Sequence, residues 1–180
     1  MPKINILTKT ILGALIILSG LFAFVSKTTQ DVEPTQNVKI DETAYYQVTK
    51  IVDGDTIDVN IDGKTERIRL IGIDTPETVD YNKPIECFGP EATAKAKELL
   101  LNQKVRLEAD PTQDNRDAYD RLLRYIYRDD GLFFNQWMIE NGYAREFTFI
   151  KPYKYQTEFK QAEINAQNGE VGLWKSGVCD

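Results

Sequence analysis

No histidine occurs anywhere in the 180 residues of this chain. That absence excludes Ser-His and Cys-His nucleophile pairs and every histidine-ligated metal. Any general base must be Asp, Glu, Lys or Tyr. Cysteine is scarce: Cys87 and Cys179 lie far apart and form no Cys-x-x-Cys pair. In an exported protein an even count suggests one disulfide, here tying the segment before the first helix to the extreme C-terminus; the alternative is two unrelated thiols. Positive charge is also short. The formal net charge is −6, and the first forty residues set four lysines against Asp31 and Glu33, so the remainder is more acidic than the whole. Such a balance is unfavourable for a protein that merely coats nucleic acid, because that affinity comes from Lys and Arg contacts to phosphate. An enzyme acting on nucleic acid would need local basic residues and a bound cation. Internal repeats and low-complexity segments are missing as well.

Long apolar runs are limited to one. Lys3 and Lys9 precede Ile11 to Val25, which carries no charge. About fifteen apolar residues after a basic start fit a signal-peptide core better than a full membrane span. Ala23 and Val25 make only a weak cleavage pattern before Ser26, so an uncleaved N-terminal anchor is the alternative. No cysteine follows the run, which argues against lipid attachment. Residues 1–26 are therefore expected to be a signal peptide or N-terminal membrane anchor, with possible membrane attachment through residues 11–25. Residues 27–43 are polar and aperiodic, as in a disordered linker. Residues 44–180 form one domain large enough for a core. The expected location is secreted, or anchored on the outer face of the cell membrane.

The folded part is organised around Asp74-Thr75-Pro76-Glu77. This tetrapeptide ends the alternating run Arg67 to Ile73, which predicts a strand that stops by Pro76, since proline cannot donate to a ladder. Upstream, Asp53-Gly54-Asp55-Thr56 adds two more carboxylates, while Arg69 and Arg121 add positive charge. Carboxylates for a hard cation together with arginines for a phosphate point to metal-assisted phosphodiester cleavage. Arg69 and Asp74 pose a geometric problem. Five residues apart on a straight strand they face opposite sides, so the strand must bend or end between them, and Gly72 is the expected place.

Elsewhere, Tyr45 to Val52 opens the domain. Ile57 to Ile61 alternates strictly, Asp62-Gly63 makes a hairpin turn, and the return strand is expected over Lys64 to Ile73. Asp58-x-Asn60-x-Asp62-Gly63 copies the opening of an EF-hand loop, but Arg69 occupies the twelfth position where a bidentate Glu belongs, and the flanks are strands. Thr78 to Phe88 is a polar loop. Gly89-Pro90-Glu91 opens a helix whose apolar face is Ala92, Ala96, Leu99 and Leu100. Val105 to Glu108 is a short strand, Thr112 to Asp120 a charged loop, and Leu123 to Tyr127 a strand turned at Asp129-Asp130-Gly131. Leu132 to Glu140 and Tyr155 to Asn168 read as helices closed by Asn141-Gly142 and Gly169. The order predicts an α+β, mainly β, fold: a five-stranded Greek-key barrel of the OB type with about three packed helices.

Four ordered blocks carry a resemblance. Asp53-Gly54-Asp55-Thr56 with Arg69, Asp74 to Thr78, Phe88 to Ala92, and Asp117-x-Tyr119-x-Arg121 followed by Tyr125-Ile126-Tyr127 resemble the staphylococcal nuclease (thermonuclease) family in order and spacing, and Leu173-Trp174 is similar to its C-terminal end. The likeness spans residues 45–175. It implies an OB-fold and a calcium-dependent endonuclease acting on DNA and RNA with 3′-phosphate products; no protein partner is implied, and a monomer is expected. By position, Asp55, Asp74 and the Thr75 carbonyl would hold Ca²⁺, with Asp53 behind them. Glu77 would be the general base, Arg69 and Arg121 would grip the phosphate, and Tyr119 would contact the nucleotide. The chain departs from the pattern at Ala118, where the family has a lysine, at Thr148 and Ile150, where it has nucleotide-packing tyrosines, and at Asp120 and Leu122, where it has glycines. Two other classes compete with an enzyme. A nuclease-like module that only binds nucleic acid would lack the arginines or the glutamate, and a structural calcium domain would explain the acids but not the arginines.

Overall fold

A computed structural model describes residues 39–78 and 84–179. The expected leader or anchor, most of the expected linker and part of the 78–88 loop lie outside the described residues. At the end of the linker stretch, Asp41 begins a turn: its N–H donates to the Tyr46 hydroxyl at 2.8 Å and its carbonyl accepts from Ala44 N. Among the described residues no helix is long and apolar enough to cross a membrane.

Five strands close into a barrel. Strands β1 (Tyr46–Ile51), β2 (Thr56–Ile61) and β3 (Lys64–Leu70) form an antiparallel meander. The β2–β3 turn is Asp62-Gly63, both with positive φ, the geometry that matches the right-handed twist of a two-residue hairpin. Strand β4 (Ile73–Asp74) follows, then β5 (Lys104–Glu108) and β6 (Leu122–Arg128). The barrel order is β1-β2-β3-β6-β5, closed where Tyr46 pairs with Val105. Only β3 and β6 run parallel within it. This is the expected OB-type barrel. Its interior is filled by the alternate residues of each strand, among them Val48, Ile57, Val59, Ile68, Leu107 and Ile126, all fully buried.

The return strand stops short of its expected end. It leaves the barrel at Leu70, turns at Gly72 (φ 78°), and resumes as β4, which pairs outside the barrel with β7 (Arg145–Glu146). A Cβ on Gly72 would lie 2.7 Å from Tyr153 and 2.8 Å from Phe159, so both the dihedral and the close approach require glycine. Asn135 fixes the same bend: its amide donates to Ile71 O at 2.9 Å while its carbonyl accepts from Ile126 N at 2.9 Å.

Three helices pack on the barrel. Helix α1 (Gly89–Leu100) buries Ala92, Ala96 and Leu100. Helix α2 (Phe134–Glu140) begins two residues later than the pattern predicts, because Leu132 and Phe133 close the preceding turn: Leu132 O accepts from Arg128 N, and Phe133 bridges to Tyr127. Helix α3 (Gln156–Asn168) lays Phe159 edge-on to Tyr125, tilted against Phe133 and stacked on Tyr155, contacts worth about 0.5–1.5 kcal/mol per pair beyond burial. Cys87 and Cys179 form a disulfide across 92 residues of sequence. Closing a loop of that size removes about 4–5 kcal/mol of chain entropy from the unfolded state in the entropic account.

Candidate active site

The β1–β2 turn, the β3–β4 bend and the two residues after β4 converge at one mouth of the barrel. Asp53 caps its own turn by accepting Asp55 N at 3.1 Å. Asp55 is buried at 5% exposure. Its Oδ2 accepts the Thr75 N–H at 2.8 Å and the Thr75 hydroxyl at 3.1 Å, and its Oδ1 accepts the Thr56 hydroxyl at 3.0 Å. Gly54 is obligatory beneath this contact, since a Cβ there would stand 2.6 Å from the Thr75 methyl. The first turn is thus locked onto the chain leaving β4.

Arg69 joins the two acids. Its Nε lies 3.2 Å from Asp55 Oδ1 and its Nη2 3.0 Å from Asp74 Oδ1. Its Nη1 donates to two backbone carbonyls, Leu70 O and Ile73 O, both at 2.7 Å. The guanidinium therefore staples the Gly72 bend, and the bend brings Arg69 and Asp74 to the same side. Carboxylates gathered at one mouth repel one another. Burial and the Asp55 charge push the Asp53 carboxyl well above the ordinary range. Half of the Asp74 side-chain surface faces solvent, yet the cleft walls and the Asp55 charge push its carboxyl up against the pull of Arg69.

Glu77 follows Pro76 at the rim, where its carboxylate accepts Thr78 N at 2.9 Å. Across the mouth, Asp117 organises the next wall. Its Oδ1 accepts the N–H groups of Tyr119 and Arg121, and its Oδ2 accepts Arg121 Nε at 2.6 Å. The Arg121 guanidinium lies 5.2 Å from the centre of the Tyr119 ring. Tyr119 itself is 82% exposed.

One cleft of about 590 Å³ gathers Asp53, Asp55, Arg69, Asp74, Thr75, Glu77, Tyr119 and Arg121. Over residues 67–176 the chain matches the family described as staphylococcal nuclease homologue. The chain belongs to that family. It is 41% identical to the thermonuclease of Staphylococcus hyicus over 131 residues, 73% of this chain and 76% of the relative. Identity to the thermonuclease of Staphylococcus intermedius is 40% over 72% of this chain and 76% of the relative. To endonuclease YncB of Bacillus subtilis it is 37% over 71% of this chain and 61% of the relative.

Within this nuclease-homologue framework the departures have structural explanations. Asp120, where the resemblance leads one to expect a glycine, adopts φ 63°, its carbonyl accepting Arg116 Nη1 at 2.7 Å; aspartate tolerates the left-handed region better than most residues. Leu122 begins β6 and is fully buried. Ala118 lines the cleft. Thr148 and Ile150 do not. Thr148 turns toward α3, where its hydroxyl accepts Gln156 Nε2 at 2.6 Å, and Ile150 is exposed. Phe147 and Phe149 line the cleft instead, with Lys151 beside them. Sequence reasoning missed this wall, because a segment that runs past its short strand can turn alternate residues to either side. The signal was present in the sequence as two phenylalanines two apart, followed by a lysine.

Asp55 and Asp74 each direct an Oδ1 at Arg69, and a divalent cation bound beside them would relieve the crowding that raises the Asp53 and Asp74 carboxyls. Among the described residues no group of three or more His, Cys, Asp or Glu side chains is placed to hold a metal ion. Two carboxylates with a backbone carbonyl, completed by water, suit a hard ion that must also admit a substrate oxygen.

Proposed function

We propose that this protein is a calcium-dependent nuclease that hydrolyses phosphodiester bonds of DNA and RNA, leaves 3′-phosphate ends, and acts outside the cell, released or held by residues 11–25. The observation that carries this is the convergence of Asp55, Asp74, Glu77, Arg69 and Arg121 on a single cleft. Its relatives' names, thermonuclease and endonuclease, support the reaction class.

Asp55, Asp74 and the Thr75 carbonyl would hold the ion, which supplies charge neutralisation at the phosphate. Arg69 and Arg121 bind the non-bridging oxygens. Arg121, held by Asp117 at Nε, keeps both terminal nitrogens for a two-point grip where an ammonium offers a point charge. Arg69, whose Nε and Nη2 pair with Asp55 and Asp74 and whose Nη1 donates to two carbonyls, adds its fixed charge and a single remaining Nη2 N–H. With no histidine in the chain, Glu77 takes the proton from the attacking water at a carboxylate oxygen, and the water attacks phosphorus in line. Arg121 assists the departing 5′-oxygen. Phe147, Phe149 and Tyr119 receive bases from an unpaired strand by stacking, and Lys151 meets the backbone.

Hydrolysis of single-stranded DNA by the full chain, with Ca²⁺ and then with excess EGTA, tests the reaction. Cleavage lost on chelation supports it. No cleavage with Ca²⁺, by folded protein that still binds DNA, replaces it with a binding module. Glu77→Gln tests the base: kcat is expected to fall by about 10²–10⁴-fold with DNA binding retained, and an unchanged kcat removes Glu77 from that role.

A further inference from the structure

The disulfide is not at the cleft, but it is joined by one short path to Glu77. The Glu77 N–H donates to Glu86 Oε2 at 3.2 Å, and Glu77 O accepts the Glu86 N–H at 2.9 Å. Glu86 therefore holds the Glu77 backbone at both its donor and its acceptor. Cys87 is the next residue. On the far side of it the chain passes through Phe88, a non-glycine residue at φ 69°, and enters α1 at Gly89. A Cβ on Gly89 would lie 2.8 Å from Pro76 O and 3.1 Å from Glu77 O, so the first turn of α1 sits directly on the Pro76–Glu77 backbone.

A phenylalanine in the left-handed region relaxes unless its surroundings hold it there. Two restraints hold this one. Its ring packs on Tyr143 with centroids 5.5 Å apart. The other restraint is the Cys87–Cys179 bond, whose far end is anchored in turn. Leu173 N donates to Gly142 O at 2.9 Å, and the segment after the short 3-10 turn Gly172–Trp174 folds back through Val178 N to Lys175 O.

We propose that the Cys87–Cys179 disulfide is a positioning element for turnover: it fixes the Glu86–Gly89 stretch that clamps the backbone of Glu77, so that opening the bridge lowers kcat without weakening substrate binding. This rests on Glu77 being the base. Misplacing a catalytic group by about 1 Å can cost about a hundredfold in rate, whereas the phosphate-binding arginines lie on elements that the bridge does not touch.

The test compares the full chain with Cys87→Ser/Cys179→Ser, with Glu77→Gln, and with the three changes combined, at a temperature where circular dichroism shows each folded. The expected result is a fall in kcat of about ten- to a hundredfold for the serine pair with KM changed less than about twofold. Added to Glu77→Gln, the serine pair is expected to cost nothing more, because the group it positions is already gone. A serine pair that keeps wild-type kcat overturns the inference, as does an equal loss in both backgrounds, which marks a general effect on the fold. An unchanged kcat in Glu77→Gln overturns the base assignment and, with it, this inference, and is read from a different variant. Should the serine pair not fold, the native chain is reduced with dithiothreitol. The reagent passes two electrons and two protons to the Sγ–Sγ bond, leaving two thiols and its own cyclic disulfide. The same kcat loss, reversed on reoxidation, supports the inference; unfolding on reduction overturns it.

Discussion

Replacing Arg69 with lysine separates two roles that the guanidinium combines. In the structure Arg69 donates to Leu70 O and Ile73 O at 2.7 Å each and pairs with Asp55 and Asp74. Its side chain is only 14% exposed. An ammonium at the end of a lysine stem can keep one of the acids but cannot span both carbonyls as well. Hydrogen bonds from charged donors are worth about 1.5–3 kcal/mol each when buried. Two are lost here, at Leu70 and Ile73, which are both buried. The expected cost is about 3–6 kcal/mol of unfolding free energy on that basis, measured by urea titration. The expected loss in kcat is about 10²-fold or more, the scale for removing one transition-state donor, measured on single-stranded DNA under conditions where the variant is fully folded. A stability change below about 0.5 kcal/mol would refute the staple. A folded variant with unchanged kcat would refute the phosphate role and leave Arg69 a structural residue.

Three further outcomes follow from the same geometry. Calcium at a hundredfold over its dissociation constant is expected to raise unfolding free energy by about 2.7 kcal/mol, with Asp55→Asn abolishing the rise; a rise that survives would place the ion elsewhere. Phe149→Ala, at a side chain 77% exposed, is expected to leave the unfolding midpoint unchanged and to weaken single-stranded DNA binding by about 1–3 kcal/mol; unchanged binding would remove the stacking role. For Asp110, burial opposes ionisation, but bonds from the Lys154 N–H, the Tyr125 hydroxyl and Thr112 outweigh it and hold its carboxyl below the usual range. A depressed folded pKa contributes stability that is present above the unfolded value of about 4 and is lost as pH falls through the folded one. Asp110→Asn is therefore expected to be less stable at pH 7 and to show a flatter acid limb in unfolding free energy, and an identical pH slope would refute it.

Local chemistry determined much of this protein in advance. The alternation of Ile57 to Ile61, the Asp62-Gly63 turn, the apolar spacing of Ala92, Ala96 and Leu100, and the Pro76 stop are short-range rules, in which each residue's conformational preference acts on its own neighbours. They were enough to read a barrel with three helices. The co-occurrence of Asp55, Asp74, Glu77, Arg69 and Arg121 with no histidine was enough to read the chemistry expected of the cleft. Contacts between segments distant in sequence decided the rest. Which way the chain turns after Leu70 depends on Tyr153 and Phe159 pressing on Gly72 from more than eighty residues away. Which residues of 147–150 face the cleft depends on Gln156 drawing Thr148 toward α3. That Asp117 holds Arg121, and that Glu86 beside the disulfide holds Glu77, are matters of side chains meeting across loops. Periodicity carries no information about such meetings, because a loop has no repeat from which a facing side can be inferred, and its geometry is set by what the folded body presents to it.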